Sequence, residues 1–128
     1  LSDRFEPIGS GTTRHVYRIT TDVYGNKNKG RVIKFANGEE ERRYNMLERQ
    51  TWMTFKGTEL GEYFCPIRSF DPNGTWIIMD YAETNLSQQE ADKVRETIEN
   101  SLGSIIIDIN RDNIGMHKNR GVVLIDYS

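Results

Sequence analysis

The sequence predicts an α+β domain with the element order βββ-α-ββ-α-ββ, and three observations support this prediction. Short β-branched segments are separated by turns rich in Gly, Asn and Pro, as in antiparallel strands. Two capping boxes each precede apolar residues at helical spacing. A final pair of apolar segments flanks a polar loop. The length of 128 residues favours a single domain with one modest core.

The first three strands are expected before residue 37. Two apolar stretches flank a Gly/Ser/Thr turn within residues 6–21, and the β-branched segment RVIKFA supplies the third strand. A polar loop rich in Gly, Asn and Lys separates the second strand from the third. Antiparallel strands joined by such turns form a meander, so we expect a three-stranded one here.

The first helix is predicted after residue 37. Asn37 is followed three residues later by Glu40, which is a capping box with Asn in place of Ser or Thr. Gly57 can end the helix. The apolar face that we expect from the spacing carries Tyr44, Leu47, Thr51, Trp52 and Phe55.

The remaining elements follow the same signals. Two strands, YFCPIRSF and TWIIMDYA, surround the turn sequence DPNG. Ser87 and Glu90 form a second capping box, and Gly103 can cap the end of that helix. Its buried face is expected to carry Ala91, Val94, Ile98 and Leu102. Two closing strands, Ile105–Ile107 and Val122–Ile125, are expected around a polar loop.

Composition excludes several classes of function. The formal net charge of −2 argues against nucleic-acid binding by bulk charge. No apolar run approaches the roughly 20 residues of a membrane span, and no signal sequence opens the chain. Cys65 is the single cysteine, so no internal disulfide can form and a reducing cytoplasm is expected. The chain begins at Leu1, which leaves open a fragment or a processed form.

The segment from Ile8 to Val16 is the first candidate binding site. Gly9 and Gly11 lie in a turn between two strands, where glycines let backbone N–H groups approach phosphates. The alternative is an ordinary hairpin turn. It is not a P-loop, because no Gly-Lys-Ser/Thr follows.

Lys34 is the second candidate, because it lies in an apolar strand. Strand alternation puts Lys34 on the same face as Val32, where burial is costly without a partner. Glu48 is the better partner among the helix glutamates, because it borders the apolar face near Trp52. The alternative is an edge-strand lysine that faces water.

Asp108, Asn113 and Asp126 are the third candidate. They occur at or near the ends of the closing strands, which would put three oxygen ligands on one side of a hairpin. Mg²⁺ prefers few protein oxygens together with phosphate oxygens and waters. The alternative is that each residue only forms a turn. The two histidines lack partners at zinc-ligand spacing.

Taken in order, these motifs resemble the protein-kinase-like superfamily. IGSGTTRHV resembles the glycine-rich loop, with Arg14 where the third glycine would be, and VIK resembles the third-strand lysine motif. WIIMDYAE is similar to the fifth strand and hinge, DINRDN to the catalytic loop, and LIDYS to the DFG segment. The Asn45, Glu48 and Trp52 pattern resembles most the small kinase-like proteins of tailed bacteriophages.

The resemblance implies a kinase-like fold within one domain. A five-stranded antiparallel N-lobe with helix C would span about 1–81, and a minimal C-lobe of one helix and a catalytic-loop hairpin about 82–128. Mg·ATP would lie between the lobes, with Asp108 as base and Asn113 and Asp126 as metal ligands. The implied nucleotide-binding residues are Ile8, Gly9, Gly11, Val16, Lys34, Glu48, Met79, Asp80, Tyr81 and Ala82.

The sequence departs from the kinase pattern at several points. Ile106 and Ile107 replace the His-Arg before the catalytic aspartate, Ser128 replaces the DFG glycine, and the sequence ends two residues after Asp126. The sequence therefore leaves two hypotheses for the function of the protein. The first is an ATP-dependent phosphotransferase acting on a hydroxyl acceptor, expected to be protein Ser/Thr. The alternative is a catalytically inactive, kinase-like binding module that regulates a host or partner protein in the bacterial cytoplasm.

Overall fold

A computed structural model of the protein describes residues 4–10, 14–22, 27–102 and 109–127, and these residues form the expected α+β fold. They contain a five-stranded antiparallel sheet, a two-stranded hairpin and two α-helices. Neither of these helices combines the length and apolarity that a membrane crossing would need. The elements are β1 (Phe5–Ser10), β2 (His15–Ile19), β3 (Val32–Phe35), α1 (Glu39–Phe55), β4 (Ile67–Phe70), β5 (Trp76–Met79), α2 (Gln88–Leu102), β6 (Ile114–His117) and β7 (Gly121–Leu124).

The chain divides into two compact units. The first contains residues up to Gln50 together with Pro66–Tyr81, and it holds the five-stranded sheet. The second contains Thr51–Cys65 and the residues from Ala82 onwards. Helix α1 is shared, because its last turn belongs to the second unit.

The sheet of the first unit has the strand order β1-β2-β3-β5-β4, so β3 is its central strand. One face carries a core of Ile19, Ile33 and Ile78, covered by the aromatic rings of β1, β2 and β3. Lys34 follows Ile33 and therefore belongs to the opposite face. It is 4% exposed and pairs in register with Val16 and Ile77, so the edge-strand alternative is wrong.

The predicted DPNG turn joins β4 to β5. The Asp71 carboxylate accepts hydrogen bonds from the Thr75 side chain and backbone, which hold the pKa of Asp71 below its ordinary value. Gly74 has a φ of +78°, a conformation that L side chains rarely adopt. A Cβ atom there would lie 2.7 Å from the Arg42 carbonyl oxygen, so the turn packs closely against helix α1.

The start of helix α1 differs in detail from the prediction. The Gly38 carbonyl accepts the first helical hydrogen bond from the Arg42 N–H. The glutamate that reaches back to the Asn37 backbone N–H is Glu41, at 2.9 Å, and not the predicted Glu40. The contact is not a capping box, because Gly38 occupies the capping position without a side chain and Glu41, the third helical residue, accepts from the residue before it.

The predicted apolar face of α1 is wrong at Leu47, which is 50% exposed. Met46 and Met53 are also exposed. The helix residues that are less than a tenth exposed are Asn45, Glu48 and Trp52. Their spacing of three and four residues is as helical as that of an apolar stripe, so periodicity alone could not identify the buried side. Two of these buried side chains are polar, and the contacts that compensate them form the candidate site described below.

The second helix confirms the predicted capping box and the buried positions 91, 94 and 98, whereas Gly103, its predicted C-terminal cap, lies outside the described residues. The Ser87 hydroxyl accepts from the Glu90 N–H at 3.3 Å, and the Glu90 carboxylate accepts from the Ser87 N–H at 3.4 Å, which completes the capping box. Ala91, Val94 and Ile98 are buried on one face.

The closing hairpin is only partly as predicted. Strand β7 lies where an apolar strand was expected, but its partner is β6, within the segment predicted to be a polar loop. The sequence IGMH of β6 contains Gly and His, which hide the strand pattern. The other predicted closing strand, Ile105–Ile107, lies outside the described residues.

Aromatic packing anchors the end of the second unit. The rings of Phe55 and Phe64 stack at 5.2 Å between centroids, and Phe64 meets Tyr127 edge to face at 5.0 Å. The Tyr127 hydroxyl donates to the Cys65 carbonyl at 2.7 Å. These contacts hold Tyr127, the residue after Asp126, in the interior of the second unit.

We expect Ser87→Ala to destabilise the second unit by about 1 kcal/mol, because the Glu90 N–H loses its acceptor. Urea unfolding followed by circular dichroism measures the loss. The matched control is Ser101→Ala, whose exposed hydroxyl only donates to the Thr97 carbonyl within the helix. An equal loss in both variants would contradict a capping role for Ser87.

Candidate functional site

The predicted ion pair between Lys34 and Glu48 is formed in the first unit. The Lys34 Nζ lies 2.8 Å from Glu48 Oε1, and the two side chains are 5% and 0% exposed. Strand β3 supplies the lysine and the middle of helix α1 supplies the glutamate. The pair therefore joins the central strand to the helix that crosses that face of the sheet.

Arg14 is a third member of this cluster. Its guanidinium lies immediately before β2, is buried, and donates from NH1 to the same Glu48 Oε1 at 2.9 Å. One carboxylate oxygen thus accepts from two cations. Charge-assisted bonds of this kind are short and strong, and here they are removed from water.

Asn45 extends the cluster to the backbone. Its side-chain carbonyl accepts from Arg14 NH1 at 2.9 Å, and its amide donates to the Gly74 carbonyl at 2.8 Å and the Lys34 carbonyl at 3.3 Å. Asn45 and Glu48 are three residues apart, so they share one helix face. Through these two residues α1 contacts the start of β2, strand β3 and the β4–β5 turn.

The cluster is polar, buried and fully hydrogen-bonded. Its four side chains are at most 5% exposed and carry two positive charges and one negative charge. Within the described part of the chain, no buried side-chain nitrogen or oxygen lacks a hydrogen-bond partner. An ammonium group and a guanidinium held beside a buried carboxylate supply positive charge and N–H donors, the groups that bind anionic oxygens, so the arrangement suits phosphate binding.

The other residues implied for nucleotide binding divide between the two units. In the first unit, Val16 pairs in register with Lys34, Met79 is 1% exposed at the end of β5, and Ile8 is half-buried in β1. Gly9 lies in β1, whereas Gly11 lies outside the described residues. Ala82 is buried and belongs to the second unit.

The segment after β5 is held by arginines. Asp80 receives two hydrogen bonds from Arg68, at 2.8 and 2.6 Å, and its backbone N–H donates to the Pro66 carbonyl. The Arg18 guanidinium stacks 4.0 Å from the centre of the Tyr81 ring. Bidentate and stacked arginine contacts fix the conformation of this segment, where the resemblance expects backbone groups to meet adenine.

The second unit brings Asn113 and Asp126 to the same end of the β6–β7 hairpin. Ile114 pairs with Leu124, and beyond that pair the Ile125 N–H donates to the Asn113 carbonyl at 2.8 Å. Asp126 is the next residue, and both candidate side chains are half-buried. The sequence predicts three oxygen ligands on one side of a hairpin of Ile105–Ile107 and Val122–Ile125, whereas two of them, Asn113 and Asp126, lie at one end of the β6–β7 hairpin, whose first strand was not foreseen.

Asp108, the predicted base, lies outside the described residues. Over residues 4–10, 14–22, 27–102 and 109–127, no three His, Cys, Asp or Glu side chains converge as a metal-binding group. The candidate magnesium ligands within those ranges are thus one carboxylate and one amide.

Arg14 and Asn45 are the contributors whose roles sequence reasoning missed. In the sequence, Arg14 is a departure from the glycine-rich pattern, and Asn45 is one member of the pattern formed with Glu48 and Trp52. The available signal was the pair of polar residues at positions 45 and 48, three apart and followed by Trp52. A polar pair on the side of a helix that carries a tryptophan needs a partner of complementary charge.

The comparisons with known proteins do not add to this picture. No protein-family model matches the chain, and a search of curated proteins finds no significant match. Function is therefore inferred from the residues and their geometry.

We expect Asn45→Leu to lower the free energy of unfolding of the first unit by about 2–6 kcal/mol. The substitution keeps the number and branching of the side-chain heavy atoms, but it removes the donor to the Gly74 carbonyl and the oxygen that accepts from Arg14 NH1, at about 1–3 kcal/mol for each lost buried hydrogen bond. Chemical denaturation measures the change. Arg43→Gln is the control, since Arg43 makes only an exposed ion pair on the same helix. Equal stability of Asn45→Leu and wild type would contradict the importance of this network.

Proposed function

We propose that the protein is an ATP-dependent phosphotransferase of the protein-kinase-like type. The observation that carries the proposal is the buried ion pair between Lys34 of the central strand and Glu48 of helix α1. Replacing a buried ion pair by apolar residues is often neutral or stabilising. A buried ion pair at the centre of a sheet therefore favours the hypothesis that the ammonium group of Lys34 has a role other than stabilising the fold.

Lys34 is assigned to the phosphates of ATP. Its ammonium has three donors, and Glu48 Oε1 accepts from the group at 2.8 Å. Backbone N–H groups of the glycine-rich turn would bind the same phosphates, and the backbone of residues 80–82 would bind adenine. These last two assignments follow from the resemblance of the sequence to kinase motifs.

Asn113 and Asp126 are assigned to Mg²⁺. Their oxygens fit the preference of this ion, which takes few protein ligands and completes its shell with phosphate oxygens and waters. When bound, the ion would neutralise charge on the phosphates. The chain's part is to offer the two oxygens from one end of a hairpin that aromatic packing at Tyr127 holds in place.

The transfer step needs a base, which the resemblance assigns to Asp108. The acceptor hydroxyl oxygen forms a bond to the γ-phosphorus, and the bond from that phosphorus to the β–γ bridging oxygen breaks. The hydroxyl proton passes to the Asp108 carboxylate and ADP leaves. We assign the acceptor to protein Ser or Thr, and the single cysteine favours a reducing compartment such as the cytoplasm.

Binding of Mg·ATP should raise the thermal stability of the wild type. At a hundredfold excess over the dissociation constant, the ligand adds roughly 2.7 kcal/mol to the folded state. We expect the shift in a thermal melt to be lost in Asp126→Asn and in Lys34→Met. The control is Asp112→Asn, which makes the same change at an exposed residue beside Asn113 and should keep the shift.

Loss of the shift in both Asp126→Asn and Lys34→Met supports the assignment of both residues to the binding of Mg·ATP. A folded wild type with no shift would contradict the proposal and favour the alternative from the sequence, a kinase-like binding module without catalysis. Such a module should keep its partner interaction after Lys34→Ala or Asp126→Ala.

Asp108→Asn should reduce phosphoryl transfer while preserving the Mg·ATP melt shift. The expected loss is about 10²–10⁴-fold, the usual contribution of a general base. Transfer from ATP labelled at the γ-phosphate to the protein itself or to a host lysate measures the rate. Asp112→Asn again serves as the control. Unchanged transfer in Asp108→Asn would show that another group is the base.

A further inference from the structure

Glu48 shares one carboxylate oxygen between two cations. Lys34 Nζ and Arg14 NH1 approach Glu48 Oε1 at 2.8 and 2.9 Å, and the glutamate is 0% exposed. The phosphate role proposed for Lys34 requires its ammonium to give donors to a ligand. If Lys34 were the sole cation in contact with Glu48, that shift would weaken the compensation of a buried carboxylate, which is strongly unfavourable.

We propose that Arg14 is a positioning residue that keeps Glu48 compensated, so that Lys34 can give its donors to the phosphates of the nucleotide. This inference rests on the proposed function. Arg14 would not touch the reacting atoms. It would act through Glu48, by holding the carboxylate in place while the ammonium group of Lys34 reorients.

The surroundings of Arg14 support this role. Arg14 is 5% exposed, and its NH1 is bound to Asn45 as well as to Glu48. Asn45 is itself fixed by the Gly74 carbonyl. A guanidinium ion is planar and always charged, so its bonds to two residues on one helix face define a single orientation.

A cycle of stability measurements tests the compensation without any ligand. We expect Lys34→Met to be tolerated while Arg14 is present, and Arg14→Met while Lys34 is present. The double variant should lose more thermal stability than the sum of the two single losses, because Glu48 is then left without either cation. Arg43→Met combined with Lys34→Met is the control and should be additive, because Arg43 is exposed and pairs with Glu39.

A further variant keeps this test decisive if the double variant does not fold. Adding Glu48→Gln removes the buried charge, so the triple variant should fold again. Additive losses in the cycle, or a triple variant as unfolded as the double, would overturn the proposal.

Calorimetric titration with Mg·ATP tests the functional half of the proposal on folded protein. Arg14→Met should bind Mg·ATP at least about tenfold more weakly than wild type, equivalent to about 1.4 kcal/mol. Arg14→Lys should recover most of the affinity, because it restores a cation. Arg43→Met should bind as wild type does. A merely structural role for Arg14 would lower the melting temperature but leave the dissociation constant of the folded variant unchanged, which would overturn the proposal.

The experiments distinguish a failure of the proposed function from a failure of the role proposed for Arg14. A wild type that does not bind Mg·ATP contradicts the proposed function and with it the link to the nucleotide, whereas the ligand-free cycle still decides whether Arg14 compensates Glu48. A wild type that binds Mg·ATP, with Arg14→Met binding equally well, contradicts only the role of Arg14.

Discussion

The first unit depends on the burial of one carboxylate, Glu48. Its oxygen Oε1 accepts from Arg14 and Lys34, and it therefore connects helix α1 to the start of β2 and to the central strand. Asn45 adds the β4–β5 turn through the Gly74 carbonyl. The exposed side of the same helix carries Met46 and Leu47. Helix α1 is therefore held on the sheet largely by compensated charge, and less by the apolar stripe that usually fixes a helix on its sheet.

Such a cluster contributes little net stability to the fold. Desolvating charges costs several kcal/mol per ion, and the attraction between them repays this only when geometry and hydrogen bonding are nearly complete. Here they are complete within the described residues, because every buried side-chain polar atom has a partner. The arrangement is consequently intolerant of changes that remove both cations from Glu48. Buried charges that are this sensitive to substitution are expected at sites where the charge has a function.

Much of the fold could be predicted from the sequence, because its signals are local. The turn at DPNG, the capping box of Ser87 and the β-branched strands each specify their own backbone conformation. The buried side of α1 could not be predicted, because Asn45 and Glu48 become acceptable inside only when Arg14 and Lys34 arrive from elsewhere in the chain. Strand β6 was missed because its four residues, IGMH, gain strand character by pairing with β7 and with Glu83. Within the candidate site, the Lys34–Glu48 pair was predictable because a lysine in an apolar strand requires a carboxylate partner.

Arg14 changes how the glycine-rich segment is interpreted. In the sequence, the arginine at the position where the resemblance expects a third glycine is one of the departures that motivate the alternative of an inactive binding module. In the structure, the guanidinium is buried against Asn45 and Glu48, so it acts as a second counter-ion for the carboxylate that also binds Lys34. The substitution that counted against nucleotide binding thus supplies positive charge within a compensated cluster. The departure from the glycine pattern is therefore compatible with a phosphate-binding Lys34, and it no longer favours the inactive module.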